Sequence, residues 1–170
     1  MALMITSIIA ADWPQVEAIY TEGIQTGHAT FASAPPVSWG EWCQNKIAAC
    51  GLVAKDNDQI CGWAALSLIS NRAVYAGVAE VSVYVSANAR GKGVGSLLLR
   101  ELIRTSEANG IWTLQAGIFP ENQASLSLHW KHGFRQVGIR EKMGKMTFGP
   151  YQGRWRDVVL LERRSRIVGI

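Results

Sequence analysis

Residues 80–96 constrain this chain more than any other stretch. Val81, Val83 and Val85 alternate with Glu80, Ser82 and Tyr84, which is the period of a strand. After a four-residue step the chain reads Arg90-Gly91-Lys92-Gly93-Val94-Gly95. Residues 94–108 then place Leu98, Leu99, Leu102 and Ile103 on one side, which is the period of a helix. Glycines at the junction let successive backbone N–H groups turn into one concavity, and the start of the helix adds positive potential there. The segment therefore reads as a phosphate cradle. It is not the G-x-x-x-x-G-K-[ST] loop, whose spacing is absent. It is not the dinucleotide fingerprint either, which would need glycine where Ser96 stands. The plain alternative is a glycine-rich turn that only allows close packing.

A length of 170 residues fits one domain, residues 1–170. At 48% hydrophobic and 18% charged residues, the chain is neither disordered, collagen-like nor a disulfide miniprotein. No apolar run approaches the roughly 20 residues that span a bilayer. The apolar start, residues 1–12, lacks a basic lead and meets Asp12 early, so it reads as a first strand and not as a targeting segment. A cytoplasmic protein is expected.

Residues 4–9 read as that strand. Asp12 can cap a helix with Pro14 in its first turn and Gln15 reaching back; its stripe is Val16, Ile19, Tyr20 and Ile24. Ser38 and Glu41 make a capping box for a second helix carrying Trp42, Cys43 and Ile47. Residues 52–55 and 60–68 read as a hairpin around Asp56-Asn57-Asp58. Asn109-Gly110 ends the long helix. Strands over 111–118, 135–141 and 155–162 and a helix over 122–132 complete the order. The expected fold is a single α/β domain with a mixed central sheet flanked by helices.

The net charge of +4 mildly favours an anionic ligand. Its densest cluster, Arg163, Arg164 and Arg166, reads as a solvated basic tail over about 163–170. No basic stripe with aromatic platforms points to nucleic acid. Cys43, Cys50 and Cys61 are odd in number and loosely spaced, so they read as buried reduced thiols and not as a disulfide framework or zinc knuckle. His129 and His132 lack a third ligand at suitable spacing, and no metal is expected.

R-x-x-G-x-G after a V-x-V strand, opening an amphipathic helix, resembles the acetyl-CoA signature of the GNAT N-acetyltransferases. Arg90, Gly93 and Gly95 stand at its defining positions. A second family element is also present, from Asn122 through Ser125 to Gly133-Phe134. The resemblance implies a cleft between splayed strands on either side of the cradle helix, with acetyl-CoA as co-substrate. It implies that the amides of Gly91, Lys92, Gly93, Val94, Gly95 and Ser96 hold the pyrophosphate, with Arg90 in the motif. It also implies that the backbone of Val83, Tyr84 and Val85 pairs with the pantetheine arm and polarises the thioester carbonyl, and that Asn122 hydrogen-bonds that arm.

Further stretches resemble the phosphinothricin and methionine sulfoximine acetyltransferases: Arg72 to Tyr75 with Glu80 to Val85, Thr30-Phe31, Ser125 to His129, and Gly153 to Asp157. That resemblance implies acetylation of the α-amino group of a small amino acid or analogue. It makes Glu80 the general base, since an ammonium cannot attack until it loses a proton. It makes His129 the acid for the departing thiolate, where many GNAT enzymes carry Tyr. Arg72 would grip the substrate carboxylate in a two-point fork, and Tyr75 and Phe31 would shape the side-chain pocket. The plain alternatives are a surface carboxylate at 80, a core or capping histidine at 129, a solvated arginine at 72 and core aromatics at 31 and 75. His132 reads as a surface residue and Trp155 as sheet packing. The family also implies a homodimer. No cysteine in the motif strands offers itself as a nucleophile, so direct transfer in a ternary complex is expected. The rivals are acetylation of a peptide N-terminus or another amine, and a non-catalytic CoA-binding regulator.

Overall fold

The computed structural model describes residues 3–170. Its strands are β1 (Leu3–Ser7), β2 (Lys46–Asp56), β3 (Gln59–Leu68), β4 (Val78–Val85), β5 (Thr113–Ile118), β6 (Arg135–Lys145) and β7 (Trp155–Arg164). Its helices are α1 (Trp13–Gln25), α2 (Trp39–Cys43), α3 (Val94–Ala108) and α4 (Gln123–Lys131). The strands form one seven-stranded sheet in the order β1-β2-β3-β4-β5-β7-β6. Only β4 and β5 run parallel, as their crossover through α3 requires. Element order and class are those read from the sequence.

Alternation along β4 serves two cores. Val81, with Ala64, Leu66, Ala116 and Leu161, packs against Leu98, Leu99 and Leu102 of α3. On the opposite face Val53, Trp63 and Ala65 pack against Trp13, Val16 and Ile19 of α1 and Trp42 of α2. Tyr84 stacks on Trp63 there, with ring centroids 4.6 Å apart and planes within 12°. Gly23 allows α1 to come this close, because a Cβ on it would lie 2.6 Å from the Tyr84 ring.

The parallel pair is short. Val78, Ala79 and Glu80 pair with Thr113, Leu114 and Gln115, and no pairing follows. Beyond that point β4 stays bound to β3 as far as Val85, and β5 stays bound to β7 as far as Ile118. The two strands therefore part, each held from behind, and leave a gap at the centre of the sheet.

Several expectations are corrected. Asp12 does not cap α1: its carboxylate accepts from the Ile9 amide at 3.0 Å and pairs with Lys55 at 2.8 Å. Gln15 does not reach back but accepts from the Ile60 amide at 2.8 Å, tying α1 to the β2–β3 hairpin. Ser38 caps α2 as expected, with the Glu41 amide donating to its Oγ at 3.2 Å. That helix nevertheless stops at Cys43, and Ile47 lies in β2, because pairing with β3 outweighs a helical pattern of this length. The basic tail is solvated only in part: β7 runs through Arg164, Arg163 pairs with Glu107 at 3.0 Å and buried Ser165 donates to the same carboxylate at 2.9 Å, while Arg164 and Arg166 are exposed. Trp155 is 57% exposed instead of packing the sheet.

Candidate active site

Where β4 and β5 part, a cavity of about 580 Å³ opens. Its wall takes Glu80 from β4, Phe31 from the loop after α1, and Asn122 and His129 from the start and end of α4. Val83 and Tyr84 also line it. The edge of β4 beyond Glu80 faces this gap without a strand partner. Tyr84 offers only its backbone there, because its ring is stacked on Trp63, and burial pushes its hydroxyl pKa well up.

The glycine turn before α3 has the backbone form that a cradle needs. Gly91 and Gly93 have φ of +72° and +83°, a left-handed backbone that favours glycine, and a Cβ on either would meet nothing within 4 Å. These glycines serve an open concavity and not close packing. Gly95 does the other job: its Cβ would lie 3.3 Å from Leu128, so it lets α3 approach α4. No side chain caps α3, and no acid stands in its first turn. The amides of Val94, Gly95 and Ser96 are therefore free donors at a helix N-terminus, the arrangement that fits a pyrophosphate. Val94 itself is buried and can contribute only that amide. Arg90 donates from Nε to the Val85 carbonyl at 3.3 Å, fastening the loop to the end of β4. Lys92 is exposed in the loop.

Asn122 caps α4: its Oδ1 accepts from the Ser125 amide at 3.2 Å, and its Nδ2 donates to the His28 carbonyl at 3.2 Å. One Oδ1 lone pair is left for a ligand. His129 is buried, with Nδ1 2.7 Å from the Ser125 carbonyl. A carbonyl only accepts, so Nδ1 carries the proton and Nε2 presents a lone pair without a partner. Desolvation lowers the pKa of His129, the Ser125 carbonyl partly opposes that shift, and His132 adds to it. The ring is thus neutral near pH 7 and set to accept a proton, not to donate one from Nε2. Glu80 is exposed and receives one long hydrogen bond, from Gln115 Nε2 at 3.4 Å.

Phe31 is on the wall, edge-on to Phe119 with centroids 4.9 Å apart. Arg72 and Tyr75 are not. Both are exposed on the loop before β4, where the guanidinium lies 5.4 Å from the Tyr75 ring. Cys43, Cys50 and Cys61 are free thiols off the wall. His132, expected at the surface, is half-buried and shares a 2.7 Å hydrogen bond with Ser96 in the first turn of α3.

Two features escaped the sequence reading. Lys46 and Gln115 join Glu80 on the wall. Arg156, 2% exposed, lies between Phe119 at 3.9 Å and Tyr151 at 4.1 Å. It donates to the Gly27 carbonyl at 2.8 Å and to Glu121 at 3.2 Å, which holds the loop that carries His28 and Phe31. Arg156 lies in the stretch Gly153 to Asp157 that the resemblance singled out, but nothing local there shows that its guanidinium is buried. Among the described residues no three His, Cys, Asp or Glu side chains cluster as metal ligands, and no helix is long and apolar enough to cross a membrane.

Comparison with known proteins bears on this geometry. The chain is 35% identical over 158 residues to a phosphinothricin N-acetyltransferase of Alcaligenes faecalis, covering 89% of this chain and 77% of that protein. It is 30% identical over 168 residues to an L-methionine sulfoximine/L-methionine sulfone acetyltransferase of Pseudomonas aeruginosa, covering 95% and 94%. A crystal structure of a GNAT superfamily phosphinothricin acetyltransferase from Sinorhizobium meliloti, in complex with acetyl-CoA, superposes with a TM-score of 0.84 at 30% identity, over 96% of this chain and 89% of that one. Residues 11–134 match the family model described as acetyltransferase (GNAT) family. That stretch contains the open strand edge, the glycine cradle and Asn122 through Phe134, and the chain belongs to the GNAT family of acetyl-CoA-dependent N-acetyltransferases.

Proposed function

We propose that this enzyme acetylates the α-amino group of a small amino acid or amino-acid analogue of the phosphinothricin or methionine sulfoximine type, by direct transfer with both substrates bound. The observation that carries the reading is the pairing of an open carboxylate, Glu80, with a buried neutral imidazole, His129, on the wall of one gap. The activities named for the Alcaligenes and Pseudomonas relatives support the substrate class.

Acetyl-CoA supplies the activated acetyl group when bound. The free amides at the start of α3 would hold its pyrophosphate, the open edge of β4 at Val83 to Val85 would receive its arm, and the spare Asn122 Oδ1 lone pair would accept from that arm. Glu80 takes the proton from the substrate ammonium, directly or through water. His129 Nε2 is the atom that can take up a proton in the gap and hand it on. Phe31 walls the side-chain end of the pocket. Arg72 and Tyr75 stand outside the wall, so a grip on substrate by these two has no support in this arrangement. Free thiols away from the wall fit direct transfer and a reducing, cytoplasmic setting. A homodimer fits the edge strand β6, where Val137, Ile139 and Met143 are exposed, as is Trp155 on β7. Sedimentation equilibrium should then return twice the 18.6 kDa chain mass; a monomer at working concentration rejects the dimer.

Acetyl-CoA at about 100 times its Kd should stabilise the folded protein by about 2.7 kcal/mol, seen as a raised Tm. Gly93→Glu should abolish that shift by placing a strained, negative side chain in the cradle. If the shift survives, the amides do not hold the pyrophosphate.

Glu80→Gln should lower kcat by about 10²-fold near neutral pH, and the loss should shrink as rising pH supplies free amine. A loss constant with pH would make Glu80 a binding residue. Acetylation of peptide N-termini with no turnover of any free amino acid would favour the peptide reading instead.

Burial of His129 also predicts a pH dependence of stability. Its folded pKa lies below the ordinary value of 6.5, so the unfolded chain binds the proton first as pH falls. The contribution is fully present above about pH 6.5 and is lost as pH drops toward the folded value. Urea midpoints measured from pH 7.5 to 5 should fall more steeply for the wild type than for His129→Leu. Equal slopes would place His129 in a more solvated state.

A further inference from the structure

We propose that Lys46 is the anchor for the substrate's carboxylate, in the same cross-strand row as Glu80. This rests on the amino-acid reading above and assigns the substrate's second charged group.

Strand register brings the residues together. Lys46 of β2 is opposite Ser67 of β3, Ser67 is opposite Glu80 of β4, and Glu80 is opposite Gln115 of β5. Directly opposed residues point to the same side of a sheet, so these four form one polar row across four strands. All four line the cavity. A slip in the β2–β3 register puts Lys46 in that row. Gly51 is opposite Ala65, and an unbroken ladder would place Ala49 opposite Ser67; instead the register shifts between Lys46 and Gly51. Irregularities of this kind re-aim side chains beside active sites.

Lys46 is held but not neutralised. Its Nζ donates to Ser67 Oγ at 3.1 Å and to Asn45 Oδ1 at 3.0 Å, and it lies 5.4 Å from the centroid of Trp42. No carboxylate is within ion-pair distance of it among the described residues. One of its three donors is left for a ligand. Burial lowers its pKa, while Glu80 and, less strongly, Cys43 raise it back in part. A half-buried ammonium without a counter-charge has lost hydration that an anion would replace.

The spacing suits a zwitterion. Hydrogen-bonded to Ser67, Nζ lies over β3, one strand from Glu80, and neighbouring strands are about 4.8 Å apart. The ammonium and carboxylate of an α-amino acid are separated by roughly 3 Å across a single carbon. Laid along the row, the substrate puts its ammonium on Glu80 and its carboxylate on Lys46. The reversed orientation sets like charges together at both ends. Of the other cations, Arg72 is exposed off the wall, and Arg140, which also lines the cavity, comes from β6 outside this row.

The test compares L-methionine sulfone with its α-carboxamide in wild type, Lys46→Met, Lys46→Gln, Lys46→Arg and Arg72→Ala. KM for the free acid should rise about 30-fold or more in Lys46→Met and Lys46→Gln, with kcat changed less than about threefold. The calorimetric Kd of L-methionine sulfone for the CoA-bound enzyme should rise by the same factor. Kinetics on the carboxamide should hardly change, Lys46→Arg should recover most of the binding, and Arg72→Ala should leave KM within about threefold. A retained Tm shift with acetyl-CoA shows that each variant is folded. An equal loss on acid and carboxamide would mean that Lys46 acts only through Glu80 or the fold, and overturns the anchor. So does an unchanged KM in both neutral variants while Arg72→Ala raises it. Wild type that binds acetyl-CoA but acetylates no amino acid overturns the amino-acid reading and the anchor with it. Wild-type turnover matched by Lys46→Met overturns the anchor alone.

Discussion

Parallel pairing between β4 and β5 stops after Glu80 and Gln115, and the rest of the molecule is arranged around that interruption. Each strand is kept in place from its far side, β4 by β3 and β5 by β7, so the gap costs the sheet little rigidity. It does leave backbone groups along β4 without partners, which is unfavourable until something polar fills the space. The first turn of α3 leaves further unpaired amides, at the end of the loop that follows β4. A ligand with an amide-bearing arm and a pyrophosphate satisfies both sets. The fold thus carries its cofactor requirement as unsatisfied main-chain hydrogen bonds, and side-chain identity matters less there than glycine does.

The two faces of the sheet then divide the work. On the α3 side the core is apolar, with Leu98, Leu99 and Leu102 fully buried, and α4 sets His129 against Phe134 of that core with the Ser125 carbonyl as its hydrogen-bond partner. Desolvation keeps that ring neutral. On the α1 side the aromatic cluster of Trp42, Trp63 and Tyr84 gives way, toward the parting of the strands, to the row Lys46–Ser67–Glu80–Gln115. A proton acceptor in a dry setting and a charged row in a wetter one thereby meet at one cavity. The loop bearing Phe31 is held over them by Arg156, whose cost of burial is offset by two hydrogen bonds and two aromatic faces.

Local pattern sufficed for most of this. The strand–glycine–helix junction was legible because its requirements are local: positive φ at Gly91 and Gly93, alternation before them and a leucine stripe after. Glu80 and His129 were legible through the family motifs around them. Lys46 was not, because nothing near it in the chain announces a strand that slips register. The local pattern reads as helix through Ile47, and only pairing with Ser67 puts Lys46 on the sheet face that carries Glu80. Asp12 likewise looked like a cap, and its partner Lys55 lies 43 residues away.

By itself the sequence determined the α/β class, the order of elements, the glycine-rich strand-to-helix turn and the family, since each rests on propensity, periodicity and glycine conformations within short stretches of chain. Tertiary structure alone decided the burial of His129, the pairing of Arg163 with Glu107, the position of Arg72 off the wall, and the place of Lys46 in the row of Glu80. The reason is physical: desolvation and charge pairing depend on which groups are neighbours in space, and those neighbours are set by strand register and packing between segments distant in the chain.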